Sequence, residues 1–345
     1  MNQNSSPRLI GLDLGTSAVK GVLTDSAGRV LAEATAETPL LNPRDGWVEI
    51  DPREHYRRVC DLVRRLAESA TGEVTALAMA SASGNTLLTD AHGTPLTPIL
   101  NWMDERCKQS PPAVLAEFDA ASVHRIVGWP CVDFFPLAHL AWLRDYAPEA
   151  YTDAGHIGMA ADWLAHCLTG RWVLDHSTAT PFHLQDQVSG TYSKPFLDRL
   201  GIPASKLPEL LPSGRAVAEL TAQAARDTGL STRTLLVSGS FDHPAAARAT
   251  GVLEPGQLML SCGTSWVGFT PFDRRDAIIE SGMLCDPFLS AAGGPWAGMF
   301  SVPAIGRTID GYVRTLIAPD ADSPLAVFDE LAARAPSGAG GLEID

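Results

Sequence analysis

Two short stretches of this 345-residue chain repeat one another: LDLGTS from Leu12 to Ser17, and LSCGTS from Leu260 to Ser265. Each is entered through an apolar run and followed, after one further residue, by Val19 or Val267. Both read as a strand, a glycine turn and a returning strand. Glycine allows the backbone to come close to a phosphate, the Thr and Ser hydroxyls and amides can donate to its oxygens, and a carboxylate beside the turn can hold hydrated Mg²⁺. Facing each other, two such loops would clamp a polyphosphate, whereas one copy alone is no more than a good hairpin sequence. Asp13 interrupts an apolar strand, where burial is costly unless a cation or turn amides satisfy it. Lys20 is open to two readings, phosphate contact or surface charge. Asp242, in GSFDHPAAA, stands where a strand gives way to a helix; it is either a helix cap or a general base that accepts a hydroxyl proton. His243 beside it reads as a local hydrogen-bonding residue before a catalytic one.

The elements that must position these residues follow from periodicity. RLIGLDL, SAVKGVLTD and VLAEATAE predict three antiparallel strands, followed by a helix over Arg53 to Ser69 behind an Asp51 cap and Pro52. EVTALAMASA predicts a buried strand and NTLLTDAHGTPL a short hairpin. From Asp104 to about Asp227 the pattern reads as largely helical, with DERCKQSPPAVLAEF as one of its helices. TLLVSGSFDHPAAARATG then predicts a strand, a turn and an alanine-rich helix, before the second glycine turn. The length favours two domains, divided as 1–245 and 246–345. The chain stops at SGAGGLEID, which reads as the beginning of a further strand.

The formal net charge is −14, and the 26 Lys and Arg residues are scattered, so a nucleic-acid partner is not expected. Six cysteines without a CxxC pair, and an N-terminus without an apolar signal core, point to reduced thiols and a cytoplasmic location. No run reaches the roughly 18 to 20 apolar residues of a membrane span.

Four blocks in order, LIGLDLGTSAVKGVLTDSAGRVLAEATAETPL, GWVEIDPREHY, ILNWMDERC and GSFDHPAAARATGVLEPGQLMLSCGTSWV, resemble the FGGY carbohydrate kinases, a family that includes xylulokinase, gluconokinase and glycerol kinase. The resemblance runs over about residues 8 to 272. It implies an α/β fold of two RNase H-like, actin-like ATPase domains around a cleft, with the second domain incomplete here. It also implies ATP and Mg²⁺ as cofactors, and transfer of phosphate to a small sugar, ketose or polyol. On the matching positions, Asp13 would be the Mg²⁺-associated aspartate, Gly15, Thr16 and Ser17 the first phosphate loop, and Gly263, Thr264 and Ser265 the second. Asp242 would be the catalytic base, and Asp104 and Arg106 would border the sugar site, although a helix-start Asp with its counter-charge reads equally well. Ala82 and Ser83 stand where xylulokinases carry Met-His and glycerol kinases Arg-Glu, so neither pocket is expected. Ser83 and Asn85 are candidate sugar contacts, and Trp102, Asp162 and Trp163 candidates for the same cleft, with core packing the plainer reading of either Trp. A homodimer is among the expected arrangements. The alternative is a shortened relative that binds sugar as a sensor or scaffold; a conformational ATPase of the same superfamily is a third reading.

Overall fold

The computed structural model describes residues 7–82, 84–130, 132–263 and 265–341. Alternating burial along β1 (Arg8–Leu14) and β2 (Ala18–Asp25) sends Ile10, Leu12, Leu14, Val19 and Leu23 to one core, as a half-covered strand requires. β3 (Val30–Glu37) completes the meander. The Asp51 carboxylate caps α1 (Pro52–Glu68) by accepting from the Arg53 and Glu54 amides at 2.8 and 3.1 Å. α1 then lays Val59, Leu62, Val63 and Leu66 onto the sheet.

β4 (Val74–Ser81) follows, and after the long middle segment come β5 (Ala216–Glu219) and β6 (Leu235–Phe241). The resulting six-stranded sheet has the order β5-β6-β4-β1-β2-β3. β1, β4 and β6 are parallel neighbours, in a register that aligns Leu14 with Ser81 and Ser81 with Phe241. The carboxyl ends of three adjacent strands therefore open on one edge, where α/β sheets collect ligands.

The middle segment is less helical than its sequence pattern predicts. α2 (Phe135–Tyr146) and α3 (Ala160–Thr169) form as expected. The expected helix over DERCKQSPPAVLAEF instead breaks into Arg106–Gln109 and a 3₁₀ turn at Ala113–Glu117, because Pro111 and Pro112 lack the amides a continuous helix needs. Short strands intervene at Val173–Asp175, Gln185–Asp186, Thr191–Tyr192 and Glu209–Leu211. In the expected hairpin Leu96 does return its amide to the Leu88 carbonyl, but Leu87–Thr89 pairs chiefly with His156–Gly158.

α4 (Asp242–Thr250) leads into a second, antiparallel sheet. Its strands are β7 (Met259–Cys262), β8 (Trp266–Phe272), β9 (Leu284–Asp286) and β10 (Trp296–Val302), in the order β7-β8-β10-β9. β9 is fastened to the middle segment: the Cys285 amide donates to Gly128, Gln187 to the Cys285 carbonyl, and Ser177 to the buried Asp286 carboxylate. Arg248 ties α4 to the same region through the Ser240 hydroxyl at 2.6 Å and the Phe288 carbonyl at 2.7 Å.

Candidate active site

A cavity of about 260 Å³ opens at the shared carboxyl edge of β1, β4 and β6. Thr16, Ala82 and Trp102 form one side, and Asp242 and His243 another. Val267, Met299 and Ser301 of the second sheet close it. Both sheets thus contribute to one space, whose wall is aromatic: Trp129 stands edge-on to Phe135 and Phe241, with ring centres 5.5 and 5.7 Å apart.

The first glycine turn is tight by necessity. A Cβ at Gly15 would lie 2.7 Å from the Ala18 carbonyl oxygen, which leaves little but glycine there. The turn is held by the Ala82 amide on the Leu14 carbonyl, the Thr38 amide on the Ser17 carbonyl, and the Trp102 indole donating to the Thr16 hydroxyl at 2.9 Å. Asp13 is register partner to Lys20. Burial pushes its carboxyl above the ordinary aspartate value, against the attraction of Lys20 and His243. No hydrogen bond to that carboxylate comes from the described residues, so its oxygens are free to accept a ligand.

Asp242 opens α4 and accepts the His243 amide at 2.6 Å, with a third of its side chain exposed. Burial raises its pKa, His243 opposes the rise, and the like charge of Asp13 adds to it. Asp13, one residue before the end of β1, and Asp242, directly after β6, thus stand at the same carboxyl edge of the sheet, and His243 acts on both. Among the described residues no group of three or more His, Cys, Asp or Glu could hold a metal unaided. Mg²⁺ is ordinarily held by one or two carboxylates with phosphate and water oxygens. The unbonded Asp13 carboxylate fits that donor set.

The other expected site residues fall in different places. Gly263 has room for a side chain, and the Ser265 hydroxyl accepts the Ala304 amide at 3.2 Å; neither lines the cavity, although Val267 just beyond does. Thr264 and Ser83 lie outside the described residues. Asn85 is buried and uses its Oδ1 to accept the Ala160 amide at 2.7 Å at the start of α3. Asp104 and Arg106 are buried in an ion pair with N···O distances of 2.7 and 2.8 Å, extended by Glu49 at 2.7 Å, and are not part of the cavity wall. The Arg106 guanidinium lies 3.8 Å from the Trp47 ring centre. Asp162 accepts the Met159 amide inside α3's first turn, its pKa raised to about 7 by burial, and Trp163 is a core residue. Of that trio only Trp102 reaches the cavity.

Sequence reasoning missed the aromatic wall. Phe135 adopts φ +67° and packs against Gly84, where a Cβ would lie 2.0 Å from the ring, so the glycine of SGNT makes room for the wall. Behind it His183, fully buried, touches Trp129 and Phe135 and has neither ring nitrogen hydrogen-bonded.

Comparison with known proteins gives this geometry its setting. Residues 8–248 match the model of the N-terminal domain of the FGGY family of carbohydrate kinases. The chain is 28% identical to a xylulose kinase of Escherichia coli over 261 residues, which are 75% of this chain and 53% of that protein. It is likewise 28% identical over 270 residues to an autoinducer-2 kinase of Yersinia enterocolitica, covering 76% of this chain and 51% of the other. The crystal structure of a xylulose kinase from Rhodospirillum rubrum superposes with a TM-score of 0.88 at 26% identity, over 97% of this chain and 68% of that one. The fold is the actin-like ATPase fold of those kinases, and the chain spans about half the length of the curated relatives it matches. The chain belongs to the FGGY family of carbohydrate kinases.

Proposed function

We propose that this chain carries the sugar site and first phosphate loop of an ATP-dependent kinase that phosphorylates a hydroxyl of a small sugar, ketose or polyol. The observation that carries the reading is the gathering of Asp13, Thr16 and Asp242 at the shared carboxyl edge of β1 and β6, where Thr16 and Asp242 line a cavity with an aromatic wall.

Trp102 and Trp129 present apolar faces suited to the C–H face of a sugar ring or polyol chain. Asp242 orients the acceptor hydroxyl and takes its proton, and a carboxylate whose pKa burial has raised is a stronger base for that task than an ordinary aspartate. The tight backbone at Gly15 and the Thr16 hydroxyl, fixed by Trp102, offer donors to phosphate oxygens. Asp13 would hold Mg²⁺, which supplies neutralisation of phosphate charge when bound. The second loop, at Gly263 to Ser265, would meet the same nucleotide from the other lobe, and Lys20 lies within electrostatic range of Asp13. Neither Met-His nor Arg-Glu stands at Ala82 and Ser83, so the pocket there is not the one the resemblance implies for a xylulokinase or a glycerol kinase. The reading places the enzyme in the cytoplasm.

A coupled ADP-release screen of this chain with Mg²⁺-ATP against pentuloses, hexuloses, gluconate and polyols tests it. Turnover on any acceptor above the ATP-only background is the expected result. Sugar binding by calorimetry with neither ATP binding nor turnover would replace the kinase reading with that of a sugar sensor or scaffold.

A further inference from the structure

Asp242 is the first residue of α4, so the backbone at Phe241 decides where its carboxylate stands. The strand ladder holds that backbone on one side only. β6 carries a register shift between Val237 and Ser240, and its pairing with β5 ends at Val237. Among the described residues, Ser240 and Phe241 therefore have a strand neighbour in β4 alone. A side chain takes the other position: the Phe241 amide donates to the Ser177 hydroxyl at 3.3 Å, and the Ser240 hydroxyl lies 3.4 Å from the same oxygen.

A serine hydroxyl carries one proton and two lone pairs. Ser177 donates to Asp286 Oδ2 at 2.8 Å, which leaves its lone pairs for Phe241 and Ser240. Asp286 Oδ1 accepts the Phe288 amide at 2.7 Å, the Phe288 carbonyl accepts from Arg248 at 2.7 Å, and Arg248 returns to the Ser240 hydroxyl at 2.6 Å. The circuit is closed, and Asp286, Ser177, Ser240 and Phe288 are all buried. Away from water each of these bonds is stronger, and breaking one leaves a polar group unpaired. Asp286 ends β9, in the sheet that supplies Val267, Met299 and Ser301 to the cavity. We infer that Asp286, acting through Ser177, is a positioning residue that fixes the Phe241 backbone, and hence the Asp242 carboxylate, relative to the second sheet. Neither Asp286 nor Ser177 lines the cavity, so both act on the reaction only through that backbone. The inference rests on the phosphotransfer reading, in which Asp242 takes the acceptor's proton. A misplacement of about 1 Å can cost about 10²-fold in rate, which sets the scale of the effect.

Two variants test it. Asp286→Asn keeps the side chain's size and an acceptor for the Phe288 amide but offers Ser177 a donor in place of an acceptor; Ser177→Ala removes the hydroxyl, and carries the test alone if the first variant does not fold. On the best acceptor from the ADP-release screen, each should lower kcat by about tenfold or more while the acceptor KM stays within about threefold. Because both act along one path, the double variant should fall little further than either single one. The Phe241 amide should exchange with deuterium about tenfold faster in both. Leu197→Ala, in the core of the middle segment and outside the circuit, should lower the urea midpoint with kcat on the folded fraction unchanged. Unchanged kcat, unchanged exchange at Phe241, additive losses in the double variant, or an equal loss of kcat in Leu197→Ala would each overturn the inference. A wild-type chain with no turnover on any acceptor is a separate result: it fails the phosphotransfer reading itself and takes the inference with it.

Discussion

Arg106→Met separates a framework role from a substrate role. In the structure Arg106 is 3% exposed and donates to Asp104 at 2.7 and 2.8 Å and to Glu49 at 2.7 Å, with its guanidinium against Trp47. Methionine fills much of the volume but leaves two carboxylates facing each other, one fully buried and one 12% exposed. Removing one partner of a buried pair costs about 3–5 kcal/mol. Asp104 keeps the Val48 amide at 2.7 Å, which places the loss toward the lower end. Loss of the stacked cation adds about 1 kcal/mol. Urea unfolding followed by tryptophan fluorescence should therefore show about 3–5 kcal/mol lost, with the double variant Asp104→Asn, Arg106→Met less unstable than the two single losses combined. Sugar affinity, measured on the folded fraction, should change little. A stability loss below about 1 kcal/mol together with a selective loss of sugar binding would refute the framework reading and return Arg106 to the substrate site.

Three further outcomes follow from the same geometry. His183 has its pKa lowered to about 3 by burial, so between roughly pH 6.5 and 4 it takes up a proton only on unfolding, and the native state weakens as pH falls. His183→Phe should gain on wild type by about 1.4 kcal/mol per pH unit across that window, and parallel stability curves would contradict this. Gly84→Ala forces a Cβ against the Phe135 ring at φ +72°; denaturation should show a loss of about 1–3 kcal/mol with weakened sugar binding by calorimetry. If Asp13 holds Mg²⁺, Asp13→Asn should raise the Mg²⁺ concentration needed for half-maximal turnover by at least about tenfold, and an unchanged Mg²⁺ titration would remove it from that role.

Local signals were the readable part of this chain. The meander, the first glycine turn and α1 with its Asp51 cap follow from alternation, helical spacing and cap chemistry within a few residues of one another. The pattern misled where neighbours in space were distant in sequence. Asp104 and Arg106 stand two apart and read either as a border of the sugar site or as a helix-start pair; their burial is set by Trp47, Glu49 and Trp142, which close over them from elsewhere in the chain. The cavity's aromatic wall is assembled from Trp129, Phe135 and Phe241 in three separate segments, and no local pattern says that they meet. Its one local trace was Gly84, whose need for positive φ is invisible until Phe135 is seen against it. That Asp13 and Asp242 share one edge of the sheet depends on β1, β4 and β6 lying side by side, which is a fact of strand order rather than of either motif.

Asp242→Ala, assayed on the best acceptor from the ADP-release screen alongside calorimetric titration of that sugar, addresses the mechanism most directly. The account expects turnover to fall by about 10²–10⁴-fold while the sugar Kd stays within a few-fold of wild type. Turnover within about tenfold of wild type would show that the proton leaves by another route and that Asp242 only braces the first turn of α4 through the His243 amide.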